Sequence, residues 1–182
     1  MNNSQQSTTQ SIFFASGLIL FAALSRLLPH PLNFSPIAAM ALFGGVYLEK
    51  RYSFILPMLA MLLSDFILGF HSQMPFVYGS FLLIGTLGLW LKNHKSFGTI
   101  VFSTFASSLI FFILTNLGMW FMQRFYPTPL YSSSFDGLIA CFVAAIPFFQ
   151  NTFVGDVVYV SVMFGAYEAA KKYVPQLVLQ KS

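Results

Sequence analysis

Charge is what this sequence has least of: only 8% of its 182 residues are Asp, Glu, Lys or Arg, while 57% are hydrophobic. A water-soluble domain carries about 25% charged residues, because its surface must face water. The chain cannot coat a globule of its size with polar groups, and a mean hydropathy of +0.73 points to lipid as the second solvent. Cysteine is nearly absent as well. The single Cys141 excludes an internal disulfide and any zinc cluster built on cysteines. No G-x-x-x-x-G-K-[ST] stretch occurs, which excludes ATP hydrolysis on a P-loop. No A-x-A-like site directly follows the first apolar run, so that run is expected to stay in the mature protein rather than leave as a signal peptide. The basic residues give a formal net charge of +4 but are scattered in pairs instead of forming a phosphate-binding stripe. No nucleic-acid partner is expected.

What the sequence has in quantity is apolar runs, rich in its 23 phenylalanines. A helix needs about 20 mostly apolar residues to cross a core of ~30 Å. The first expected span is 12–28, closed by Pro29 and Pro31. The second, 37–48, is short unless 33–36 also lies at membrane depth, and Lys50 and Arg51 stop it. The third is 52–69, interrupted by Pro57. The fourth, 76–91, is closed by Lys92, His94 and Lys95, and the fifth is 97–122. The stretch 135–173 is too long for one span and too short for two. Division at Pro147 predicts a half-helix or re-entrant segment over 136–149 and a sixth span over 151–170.

The expected fold is therefore all-α, a polytopic bundle of six transmembrane helices plus an outer half-helix. It forms a single transmembrane domain, 12–173, between a polar N-terminal tail, 1–11, and a C-terminal tail, 174–182. Six spans put Lys50, Arg51, Lys92, Lys95, Lys171, Lys172 and Lys181 on one side and only Arg26 and Arg124 on the other. The positive-inside rule then places both termini in the cytoplasm, with the chain multi-pass in a bacterial inner membrane. Seven spans would put the C-terminal lysines outside, against that rule.

The same map sorts the polar residues. His30, Asn33, His71, Gln73 and Asp136 fall in or beside the outer loops. Asp65, Asn116, Asn151 and Asp156 fall within about two turns of the outer helix ends. A mostly apolar pocket with a few convergent polar groups is the usual form of a small-molecule site. The expected substrate-binding set is Asn33, Asp65, His71, Gln73, Tyr78, Asn116, Trp120, Asn151 and Asp156. Tyr78, Trp120 and Tyr126 could stack a flat ring. An ionisable group inside a span is costly and faces a partner or a function, so Asp65 and Asp156 read either as interhelical or helix-end structure or as ligand contacts. His30 and His71 lack metal-ligand spacing, and no metal or cofactor is expected. Two pairs of small residues at i, i+4, Ala41 with Gly45 and Gly165 with Ala169, offer faces for close helix packing, expected within the chain.

Residues 26–45 (RLLPHPLNFSPIAAMALFGG), 64–78 (SDFILGFHSQMPFVY), 115–120 (TNLGMW) and 144–156 (AAIPFFQNTFVGD) resemble a family of small bacterial membrane proteins. That family is itself similar to the S components of energy-coupling factor (ECF) transporters. The resemblance covers about 12–170. It implies a six-helix protein that binds a vitamin or related micronutrient from outside with its outer loops and helix ends. Such a protein delivers its substrate through an ATP-driven energising module. The A-x-x-x-A pair by which S components dock that module is absent from 12–28, which is what a solitary S-like protein would show. Some solitary S-like proteins resemble cobalamin transporters that present a cysteine to the metal. Here the comparable region holds His71, and Cys141 sits elsewhere, so cobalamin is a named candidate only.

Three readings follow. The first is a substrate-binding transport protein of the inner membrane, not an enzyme, whose partners are a small molecule and the bilayer. The second is a scaffolding subunit whose small-residue faces bind another membrane protein. The third, an intramembrane aspartic protease, has only Asp65 and the Gly155–Asp156 pair in its favour.

Overall fold

The computed structural model describes residues 3–173, with side chains from residue 10 onward. It is built from α1 (Asn3–Ser25), α2 (Ile37–Tyr47), α3 (Tyr52–Leu68), α4 (Met74–Asn93), α5 (Phe97–Met122) and α6 (Phe135–Tyr173). A short 3-10 turn, Gln123–Phe125, follows α5, and no strand occurs among the described residues. Three helical stretches, Met74–Asn93, Phe97–Phe125 and Phe135–Tyr173, are long and apolar enough to cross a membrane. Three shorter apolar ones, Gln10–Ser25, Ile37–Tyr47 and Tyr52–Leu68, accompany them. Large apolar side chains cover the outside, among them Phe13, Phe21, Phe66 and Phe97. Water would not tolerate such a continuous apolar exterior, and the chain is a helical membrane protein.

At the centre stands α2. Each of its eleven residues is buried, as befits a helix that is apolar all round. The other five helices pack about it. Close approach depends on glycine: a Cβ on Gly45 would lie 2.6 Å from both Gly85 O and Gly88 Cα, so the α2 and α4 backbones touch directly. A Cβ on Gly44 would lie 2.9 Å from Ser53 O, the carbonyl whose i+4 partner, Pro57, has no N–H to give. Ala41 and Gly45 thus pack within the chain as expected. Gly165 and Ala169 do not: both are exposed, and Gly165 has open space around its Cα.

The largest departure from the expected fold is α6. In place of a half-helix and a separate span, one helix runs unbroken through Pro147 for 39 residues, about 58 Å at 1.5 Å per residue. Proline removes one hydrogen bond and need not end a helix whose flanks are held by neighbours. Here rings from α5 and α6 interlock on both sides of it: Phe112 with Phe142 and Phe149, and Phe105 with Phe149 and Phe153. Pro57 likewise leaves α3 continuous. At the N-terminus, α1 begins at Asn3, inside the segment expected to be a polar tail, and ends at Ser25 instead of 28. The tail 174–182, with Lys181, lies outside the described residues.

α2 is only about 16 Å long, and an irregular segment, 26–36, precedes it. That segment touches α6 at Leu32, Phe34 and Ser35, while the side chains of 27–33 stay exposed. Asn151 Nδ2 donates to Leu32 O at 3.0 Å, the Phe34 and Tyr159 rings meet at 5.7 Å, and a Cβ on Gly155 would lie 3.3 Å from Phe34 Cα and Ser35 N. Asn33 makes the reversal in the left-handed region, φ 63°, which asparagine tolerates better than most residues.

The two ends of the bundle differ in charge. At one, Tyr47 donates to Glu168 Oε1 (2.7 Å), Lys95 pairs with the same carboxylate, Lys171 stands 3.6 Å from it, and Lys92 caps Leu48 O at 3.0 Å. The opposite end carries the 26–36 segment and the loops 69–73 and 123–134.

Candidate functional site

A cavity of about 240 Å³ opens at this second end. Its walls come from four places: Leu32 and Asn33 before α2, Asn116 and Met119 on α5, Leu130 and Tyr131 in the loop after it, and Cys141, Ala144, Ala145 and Phe148 on α6. Small side chains on α6 make the space, since Ala144 and Ala145 face positions where larger residues would fill it. Apolar groups dominate the lining, and the polar atoms converge from Asn33, Asn116, Tyr131 and Cys141, the usual composition of a small-molecule site. Asn116 Nδ2 donates to Phe112 O at 2.7 Å, leaving its Oδ1 with no partner among the described residues. Cys141 Sγ lies 3.6 Å from Asn116 O, tying α6 to α5 at the cavity wall.

Several expected site residues hold the walls without lining the space. Trp120 Nε1 donates to Ser132 O (2.9 Å), and Gln123 Oε1 accepts from Leu130 N (2.6 Å), fixing the loop that carries Leu130 and Tyr131. Asn151 holds Leu32 through its carbonyl. Gln73 Nε2 reaches Met119 Sδ at 3.7 Å, while its buried Oε1 has no partner among the described residues. Of the nine residues expected to bind substrate, Asn33 and Asn116 therefore line the cavity, and Gln73, Trp120 and Asn151 stand one contact behind it.

The remaining four lie elsewhere. Asp65 forms an ion pair with Arg26 at 2.8 Å, both side chains being nearly inaccessible, and Tyr78 donates to its other oxygen at 2.9 Å. Arg26 Nη1 also bonds Ser64 Oγ. This network locks the end of α1 to α3 and α4. Asp156 is buried on α6 with Ser108 of α5 as its hydrogen-bond partner, at 2.6 Å. His71 is exposed, with no side-chain hydrogen bond or ion pair among the described residues. No three His, Cys, Asp or Glu side chains gather as a metal site would require among the described residues. Tyr126, weighed as a stacking ring, instead pairs with Ser72 through its hydroxyl at 2.8 Å.

Sequence reasoning missed Met119, Tyr131, Phe148 and the alanines, because nothing in an apolar run distinguishes a cavity wall from a core. Cys141 carried a signal, as the chain's single thiol, but its depth on a continuous α6 was hidden by the expected break.

The profile of one protein family, described as a family of unknown function (DUF6580), matches residues 6–177. The chain belongs to that family. No curated protein and no solved structure matches it. In this DUF6580 chain, seven of the ten cavity-lining residues fall in three of the four segments singled out above: Leu32, Asn33, Asn116, Met119, Ala144, Ala145 and Phe148.

Proposed function

We propose that this DUF6580 chain is a six-span transport protein of the bacterial inner membrane that binds a small micronutrient at its outer face. Both termini are then cytoplasmic, and the Lys- and Arg-rich end of the bundle faces inward, as the positive-inside rule requires. The observation that carries the reading is the cavity itself. It opens at the end opposite the lysine cluster, is walled in part by Leu32 and Asn33 of the segment before α2, and offers the Asn116 amide oxygen as an acceptor. Its 240 Å³ is below the usual 300–1,000 Å³ of drug-sized sites, which favours a vitamin-sized ring compound over an enclosed corrinoid such as cobalamin. The lining has no Asp, Glu, Lys, Arg or His, so a neutral substrate with a hydrogen-bond donor fits it best. The resemblance to ECF S components supports the same reading, with an energising module as partner or, given the missing A-x-x-x-A pair, a solitary mode of action.

Mass spectrometry of small molecules released from gently purified protein tests this. The wild type is expected to release a ring-containing micronutrient. Asn116→Leu, which withdraws one hydrogen bond, is expected to lose about tenfold in affinity, and Ala145→Phe, which fills the cavity, to release nothing. A correctly folded wild type that is empty and binds no member of a broad vitamin panel would overturn the reading. One observation favours a scaffolding role: the open Gly165–Ala169 face of α6 has room for a partner helix. A stoichiometric membrane partner lost in Gly165→Leu, from a protein without ligand, would support it.

A further inference from the structure

Hydrogen-bond accounting around Asp156 does not close for an ionised carboxylate. Ser108 Oγ lies 2.6 Å from Asp156 Oδ2 and 3.1 Å from Thr104 O, and both of those are acceptors. A hydroxyl has one hydrogen to donate. With Asp156 ionised, one of the two contacts has no proton in it. With Asp156 protonated on Oδ2, both contacts hold a proton: the acid donates to Ser108 Oγ, and Ser108 donates to Thr104 O. The shortest of these contacts is then an ordinary O–H···O bond from a carboxylic acid.

The surroundings supply no alternative compensation. The helices that pack against α6 are α1, α2 and α5, and none of them contains Asp, Glu, Lys, Arg or His. Arg26 is committed to Asp65, and the exposed His30 bonds Leu28 O. On α6 itself Lys171 and Lys172 are four turns away, and Tyr159 shares its hydroxyl with Ser25 Oγ at 2.9 Å. No basic side chain lies within ion-pair distance of Asp156 among the described residues. Counting from Phe97 to Ser108 and from Glu168 to Asp156 puts the pair about 17 Å in from the basic end, near the middle of a ~30 Å core.

We propose that Asp156, with Ser108, is a proton-binding site at mid-membrane, occupied at neutral pH in the state described. Two further hydroxyls of α5, Ser103 and Ser107, are buried without a partner among the described residues, on the turns leading from Ser108 toward the basic end. They are groups through which a proton can be relayed. The preceding residue in the chain, Gly155, packs against Phe34 and Ser35, so the proton site and the cavity share the loop that holds Asn33. The assignment does not depend on what the cavity binds.

Infrared spectroscopy of the ligand-free protein in lipid vesicles tests it. A protonated-carboxyl stretch is expected at neutral pH, downshifted after exchange into D2O. It should be lost in Asp156→Asn and kept in Asp65→Asn. Ser108→Ala retains the acid and is expected to move the band to higher wavenumber, which keeps the test open if Asp156→Asn fails to fold. Absence of the band in the wild type at neutral pH would overturn the proposal. So would its persistence in Asp156→Asn, or its disappearance on adding sodium at constant pH, which would make the site one for a metal cation.

Discussion

Two aspartates of this bundle are equally buried, each about 1% exposed, and they are handled in opposite ways. Asp65 has a guanidinium at 2.8 Å and a phenol at 2.9 Å. Its charge is answered on the spot, and the result is a clamp on α1, α3 and α4. Asp156 has one hydroxyl, Ser108, and no cation within ion-pair distance among the described residues. Solvation in hydrocarbon is so poor that a carboxyl must be either paired or neutral. The chain uses both solutions within one domain. A residue type in a span therefore says only that the group has a cost; its partner says what the group is for.

Substitutions can break or sharpen that contrast. The largest effect is expected from Arg26→Leu, which strands the Asp65 carboxylate and should destabilise the protein by about 3–5 kcal/mol. Thermal unfolding in detergent would measure it, and Arg26→Leu with Asp65→Leu should recover much of the loss because no charge is then stranded. Asp65→Asn comes next, leaving Arg26 without its counter-charge, at about 2–3 kcal/mol by the same assay. In contrast, Asp156→Asn should stay within about 1 kcal/mol of wild type, since a neutral amide replaces what is already a neutral acid. Equal losses in the two Asp→Asn variants would erase the distinction between the sites. A comparably small effect, about 1 kcal/mol, is expected from Tyr78→Phe, because Asp65 keeps Arg26.

The helices were legible wherever an apolar run met a hard stop. Phe97–Met122 falls where expected, and Tyr52–Leu68 ends one residue early. The charge asymmetry that orders the ends is visible in the lysines alone. Pro147 misled because its local effect, one missing hydrogen bond, is small beside the phenylalanine packing that carries α6 past it. In the candidate site, Asn33 and Asn116 stood out because a polar group in an apolar chain is conspicuous. The alanines that create the cavity did not.

Composition pointed to lipid and the length of the apolar runs to helices, since too little charge leaves no aqueous surface and a run near 20 apolar residues satisfies its own backbone hydrogen bonds only as a helix. Only tertiary structure decided that Arg26 meets Asp65 and Ser108 meets Asp156. Those partners stand 39 and 48 residues apart in the chain, and no local pattern encodes which helix faces will touch. It also decided that Leu32, Phe34 and Ser35 lie against α6, because those contacts join parts of the chain more than a hundred residues apart.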